Sequence, residues 1–147
     1  MYKHLFVPID GSDLSHRAMD GSIELALQLG ARITGFVVEP ELPLSAVSRD
    51  PVAYAKHIRE HEGHNEMHAS TLLAQFEARA RTAGVEFTGS HVDSGAIDDA
   101  IAGAAETAGC DMIVVVTHGR GPVGELLFGS HTRAIIARSK LPLLVLH

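Results

Sequence analysis

The chain has no tryptophan, two tyrosines and one cysteine, and aromatic residues make up 5% of it. A single thiol, Cys110, excludes an internal disulfide, and its place before an apolar run reads as a small core residue. No apolar stretch approaches the length needed to cross a bilayer, so no transmembrane segment is expected. The N-terminus lacks the basic-then-apolar pattern of a signal peptide, and the expected location is the cytoplasm. Cations are also short: 12 Lys and Arg stand against 18 Asp and Glu, for a net charge of -6. That balance argues against general affinity for nucleic acid or an anionic membrane. Neither a Walker-type lysine after a glycine loop nor a G-x-S-x-G elbow occurs.

What remains is an aliphatic chain of 147 residues, 46% hydrophobic, enough for one domain with one core spanning 1–147. Apolar runs alternate with helical periodicity. Strands are expected over Leu5–Ile9, Ile33–Val38, Val85–Val92, Met112–Val116 and Leu143–Leu146. Helices are expected over Ser15–Leu29, Val52–Ala83, Ala96–Ala108 and Ser130–Ser139, with Gly30 stopping the first and Gly63 a candidate break in the second. Pro40, Pro43 and Pro51 mark an irregular connection. Strands joined through helices imply an α/β fold: a single-domain, open, five-stranded parallel sheet with helices on both faces. Ligands in such sheets sit beyond the carboxyl ends of the strands, where the strand order reverses. Asp10, the Val37-Val38 turn and the loop Thr117-His118-Gly119-Arg120-Gly121 all fall at such ends and are expected to converge.

The loop after the fourth strand is the most informative segment. Glycines let backbone N–H groups approach an anion, and Gly129-Ser130 stands where a helix should begin, adding unpaired donors and a favourable dipole. Between His118 and Lys140 lie Arg120, Arg133, Arg138 and Lys140 against Glu125 alone, a basic window in an acidic chain. Gly119 and Gly129 would bring main-chain donors to phosphate oxygens, Ser130 would cap the helix and offer its hydroxyl, and Arg120 would neutralise a terminal phosphate. Each residue taken singly also reads as an ordinary turn or helix start.

The pattern resembles the universal stress protein family, whose nucleotide-binding members carry Gly-x2-Gly-x9-Gly-Ser/Thr after the fourth strand. Gly119 and Gly129 match its second and third glycines, with nine residues between them, and Ser130 matches its hydroxyl. Val7-Pro8-Ile9-Asp10-Gly11-Ser12 resembles the first strand and acidic turn, Phe36-Val37-Val38-Glu39 the end of the second strand, and Leu141-Pro142-Leu143-Leu144-Val145 the last strand. The chain departs from the motif at Val116, in place of the first glycine, and at His131, in place of a small apolar residue. His131 could crowd the phosphates or donate to them as a cation. The resemblance implies a Rossmann-like domain of the adenine-nucleotide-binding type, taking ATP or AMP, with or without Mg. It further implies that Asp10 accepts from ribose or adenine and that Val37 meets the base edge through its backbone. Action in a stress response as a homodimer, paired through the C-terminal strand, follows from the same resemblance. An apolar final strand at a sheet edge calls for a partner on physical grounds as well. Catalysis beyond slow ATP hydrolysis is not implied. The alternative is a dimeric interaction protein of the same fold with its pocket closed by Val116.

Ten histidines form the other notable feature. His57, His61, His64 and His68 share one helical stripe. Such a stripe either chelates zinc, nickel or copper or is a polar helix flank. His57-Ile58-Arg59-Glu60-His61 fits H-x-x-E-H, and His61-Glu62-Gly63-His64 fits H-x-G-H. Both are read as coincidental: metalloproteases with the first pattern are much larger chains with a further distant ligand, and in the enzymes that use the second it follows the first strand, whereas here it falls within a long helix.

Overall fold

The computed structural model describes residues 1–43, 48–117 and 130–147, with Ser130 and His131 described by backbone alone. In chain order the elements are β1 (His4–Ile9), α1 (Asp13–Leu29), β2 (Arg32–Glu39), α2 (Pro51–Ala83), β3 (Phe87–Asp93), α3 (Ile97–Thr107), β4 (Met112–Val116), α4 (Ser130–Arg138) and β5 (Leu143–Leu146). They form a five-stranded sheet of order β3-β2-β1-β4-β5, parallel throughout. No helix among the described residues is long and apolar enough to cross a membrane.

Successive side chains of β1 point to opposite faces, and both faces are covered, which is why the strand reads as a continuous apolar run. Leu5, Val7 and Ile9 pack with Met19 and Ile23 of α1 and with Leu72 and Phe76 of α2. Phe6 packs with Phe36, with Ile101 and Ala105 of α3, and with Ile135 of α4. Cys110 is buried beside this second cluster, and burial pushes its thiol up to about 11, so it stays protonated and unreactive at neutral pH.

The element boundaries differ from the periodicity-based expectation for local reasons. Gly63 does not break α2; the helix runs through it, and nothing packs against the position. Asp50 caps that helix by accepting from the Val52 N–H, and Pro51 takes the first turn, where its missing N–H leaves no bond unmade. At the other end Gly84 adopts φ 79°, and the Val85 N–H bonds to the Ala80 carbonyl. Val85 is therefore spent on ending the helix, and β3 starts two residues later, at Phe87. α1 begins at Asp13 rather than Ser15, because the Ser15 hydroxyl turns back to the residues before the helix.

Pairing along β1 is uneven. Its ladder with β2 runs through six register pairs, from His4 to Ile9, whereas that with β4 comprises Leu5↔Met112 and Phe6↔Ile113 only. Pro8 has no N–H with which to extend the second ladder, and a crevice opens there.

Two expected outcomes follow. A methyl group on Gly35 would lie 2.6 Å from the Phe87 ring and 2.9 Å from that of Phe76. Gly35→Ala should therefore lower unfolding free energy by about 1–3 kcal/mol in a urea titration. His4 is 9% exposed, its Nε2 pairs with the Thr34 hydroxyl at 2.7 Å, and burial together with Arg32 lowers its pKa, outweighing Asp111 and Glu86. The unfolded state thus takes up a proton that the folded state refuses. Its contribution should be complete above the unfolded value of about 6.5 and shrink as pH falls toward the lower folded value. A His4→Asn variant should show a shallower acid decline in thermal midpoint than the native chain.

Candidate functional site

The strand order reverses between β1 and β4, and a cavity of about 230 Å³ lies there. Ile9, Val115 and Val116 come to it from the strands, Ala18 from α1, Ile101 from α3 and Ile135 from α4. Among the described residues its polar groups are Asp10, Ser12 and Ser15 on one side and Thr132 on the other. A mostly apolar hollow with a few fixed polar groups suits a flat, partly apolar ligand that must be held in one orientation.

Asp10 leaves β1 into a turn closed on itself. Its Oδ1 accepts from the Ser12 N–H at 2.9 Å and from the Ser15 hydroxyl at 3.0 Å. The Ser15 oxygen in turn accepts from the N–H groups of Asp10 and Gly11, both at 3.0 Å. Gly11 makes the turn with φ 84°, a conformation a branched side chain would resist. Burial alone would raise the Asp10 pKa, but hydrogen bonds from Ser12 and Ser15 outweigh it and hold the carboxyl below its ordinary value. The group is an anion at neutral pH with acceptor capacity left over, as recognition of a hydroxyl or amine requires.

The other expected site residues fall as follows. Val37 is fully buried, and Val38, the next residue, lines the cavity instead. Thr117 follows β4 directly; its N–H donates to the Leu146 carbonyl at 2.9 Å, and its hydroxyl pairs with His147 Nδ1 at 3.2 Å. His147 was not among the residues singled out, since 30 positions separate the two and only the β4–β5 pairing joins them. Ser130 opens α4, His131 follows it, and Thr132 brings its buried side chain to the cavity. His118, Gly119, Arg120 and Gly129 lie outside the described residues. Arg138, from the basic window, is spent on an ion pair with Asp99 that ties α4 to α3.

The histidine stripe is used in a different way from a chelate. His61 Nε2 meets the Pro40 carbonyl at 2.8 Å, and Asn65 donates to the same oxygen at 2.9 Å. One turn on, His68 Nδ1 makes a short contact with Glu39 Oε1. Thus the stripe fastens α2 to the end of β2, while His57 and His64 are exposed. No group of three or more His, Cys, Asp or Glu side chains among the described residues could hold a metal ion. The bonds to Pro40 and Glu39 carry no local signal, because they join residues 21 to 29 positions apart.

An open, doubly wound parallel sheet with a ligand-sized crevice at its switch point and an acidic turn beside it defines a Rossmann-like α/β protein. The sequence model of the universal stress protein family matches residues 1–147, and the chain belongs to that family. Universal stress protein YxiE of Bacillus subtilis (strain 168) is 26% identical over 147 residues, covering 99% of each chain. A universal stress protein solved in complex with cAMP is 26% identical, with a TM-score of 0.69 over 99% of this chain and 97% of that one. UspA of Lactobacillus plantarum, 19% identical over 99% of this chain and 98% of that one, shares the fold with a TM-score of 0.78.

Removing the Ser15 hydroxyl would leave the Asp10 and Gly11 N–H groups without that acceptor and Asp10 Oδ1 with the Ser12 N–H alone of its two donors. Ser15→Ala should cost on the order of 1–3 kcal/mol of stability. It should also raise the Asp10 pKa, which NMR titration of the carboxyl carbon would read. An unchanged titration would show that the turn does not depend on Ser15.

Proposed function

We propose that this protein binds an adenine nucleotide, ATP or AMP, at the β1/β4 crevice and works as a cytoplasmic homodimer in a stress response. The observation that carries the reading is the cavity itself. The ionised Asp10 stands at one side, and the start of α4 brings Thr132 to the other. A nucleoside fits between them, its base against Ile101, Val115 and Ile135 and its hydroxyls within reach of Asp10. The phosphates then point toward the first turn of α4, where unpaired N–H groups favour negative charge. The cAMP complex of a relative 26% identical supports the same ligand class. Dimerisation is supported by β5. It is one of the two outer strands, its four residues Leu143–Leu146 are half-buried in the single chain, and an open apolar edge favours pairing with a copy of itself.

A second reading, a dimeric interaction protein without nucleotide, draws on Val116. Its side chain lines the cavity, where the family's motif has a glycine.

Titration of the purified chain with labelled ATP and AMP should show saturable binding at or below millimolar concentration. Asp10→Asn, which keeps the shape but removes the charge, should weaken it about tenfold, a change of roughly 1.4 kcal/mol. No saturable binding by the native chain, regained in Val116→Gly, would decide for the interaction protein.

A further inference from the structure

The Ser15 hydroxyl, on the Asp10 side of the crevice, is fully engaged: it donates to Asp10 Oδ1 and accepts from two N–H groups. The hydroxyl of Thr132, on the other side, is not. Thr132 is 6% exposed and lines the cavity, yet among the described residues nothing pairs with its hydroxyl. A threonine inside a helix commonly turns its hydroxyl to the carbonyl four residues back. Thr71, Thr82 and Thr107 do so here, donating to Met67, Ala78 and Gly103 at 2.8, 2.9 and 2.8 Å. Thr132 stands in the first turn of α4, and the position four residues before it precedes the helix. Ile135, one turn on, faces the same cavity, as do Ile97 and Ile101 of α3. Among the described residues, Thr132 is thus the one hydrogen-bonding side chain that α3 and α4 bring to an otherwise aliphatic wall. A buried hydroxyl left without a partner costs free energy that a bound ligand can restore.

We infer that Thr132 is a specificity-determining residue by which the crevice tells a nucleoside monophosphate from the bare nucleoside, its hydroxyl donating to the phosphate next to the ribose. Charge sets the orientation. The cavity has polar groups at two sides, and at one of them Asp10 is an anion. A ribose hydroxyl can donate to that carboxylate, whereas a phosphate is repelled by it. The phosphate is left with the opposite side. There Thr132 offers an O–H, and the first turn of α4 offers backbone N–H groups not spent within the helix. A hydrogen bond to an ionised acceptor is stronger than one to a neutral group, so the hydroxyl favours the phosphorylated ligand over its unphosphorylated parent. In the free chain the same hydroxyl adds nothing to the fold, a cost in stability accepted for recognition.

This inference deepens the nucleotide reading and rests on it, so three proteins are compared without ligand, with AMP and with adenosine. Thr132→Val keeps the shape and removes the hydroxyl; Thr132→Ser keeps the hydroxyl and removes the methyl. Without ligand, Thr132→Val should unfold at a thermal midpoint equal to or above the native one, because no bond is lost. A lower midpoint would show that the hydroxyl holds the fold together and would overturn the inference whether or not nucleotide binds. AMP and adenosine are then titrated into each protein by calorimetry. Thr132→Val should bind AMP roughly tenfold to a hundredfold more weakly than the native chain, as loss of a hydrogen bond to a charged group requires, and should bind adenosine unchanged. Thr132→Ser should retain the native affinity for AMP. With native binding intact, an equal loss for both ligands, no loss for AMP, or a serine variant as weak as the valine one would overturn the inference alone. A native chain that binds neither ligand would instead overturn the nucleotide reading, and the role of Thr132 with it.

Discussion

The parting of β1 from β4 is the constraint on which the rest of this structure depends. Crossovers of one hand place helices on opposite faces when the chain reverses its direction across the sheet. α1 and α2 therefore pack over one face and α3 and α4 over the other, and among the described residues the switch point is open at its carboxyl end. Hydrogen bonding reinforces the opening, because the β1–β4 ladder stops at Phe6↔Ile113 and Pro8 offers no N–H to prolong it. The apolar side chains that would otherwise meet across the gap line the cavity instead.

An anionic turn beside an apolar hollow is costly to maintain, and this chain stabilises it from two directions. Inside, Ser15 exchanges hydrogen bonds with Asp10 and Gly11, keeping the carboxyl ionised despite partial burial. Outside, α2 supplies His68 and Leu72 against Gly11 and is itself anchored to β2 by His61 and Asn65. The histidine-rich stripe thus links the two strands on that side of the crevice, a use that needs no metal.

How much of this was legible follows from the range of each interaction. Every strand and helix was visible as periodicity. The errors at their ends came from side chains and caps that periodicity does not register: the Ser15 hydroxyl before α1, and the left-handed Gly84 that consumes Val85. Asp10 was legible as an acidic residue at a strand end. The side chain of Val37 is buried while Val38 lines the cavity, because a strand's two faces differ by one residue and the sequence does not say which face looks onto the crevice. Thr132, Ile101 and Ile135 gave no local signal, since an apolar residue on a helix reads the same whether it faces core or cavity.

The sequence by itself determined the class of fold, the alternation that makes the sheet parallel, and the family to which the chain belongs. Those properties rest on local preference and on motifs each contained in one short stretch of chain. Tertiary structure alone decided the strand order, the position of the cavity, and the assignment of His68 to Glu39 and of Thr117 to His147. Such contacts join residues some thirty positions apart, and their partners are selected by how helices pack across a twisted sheet, which no short stretch of chain encodes.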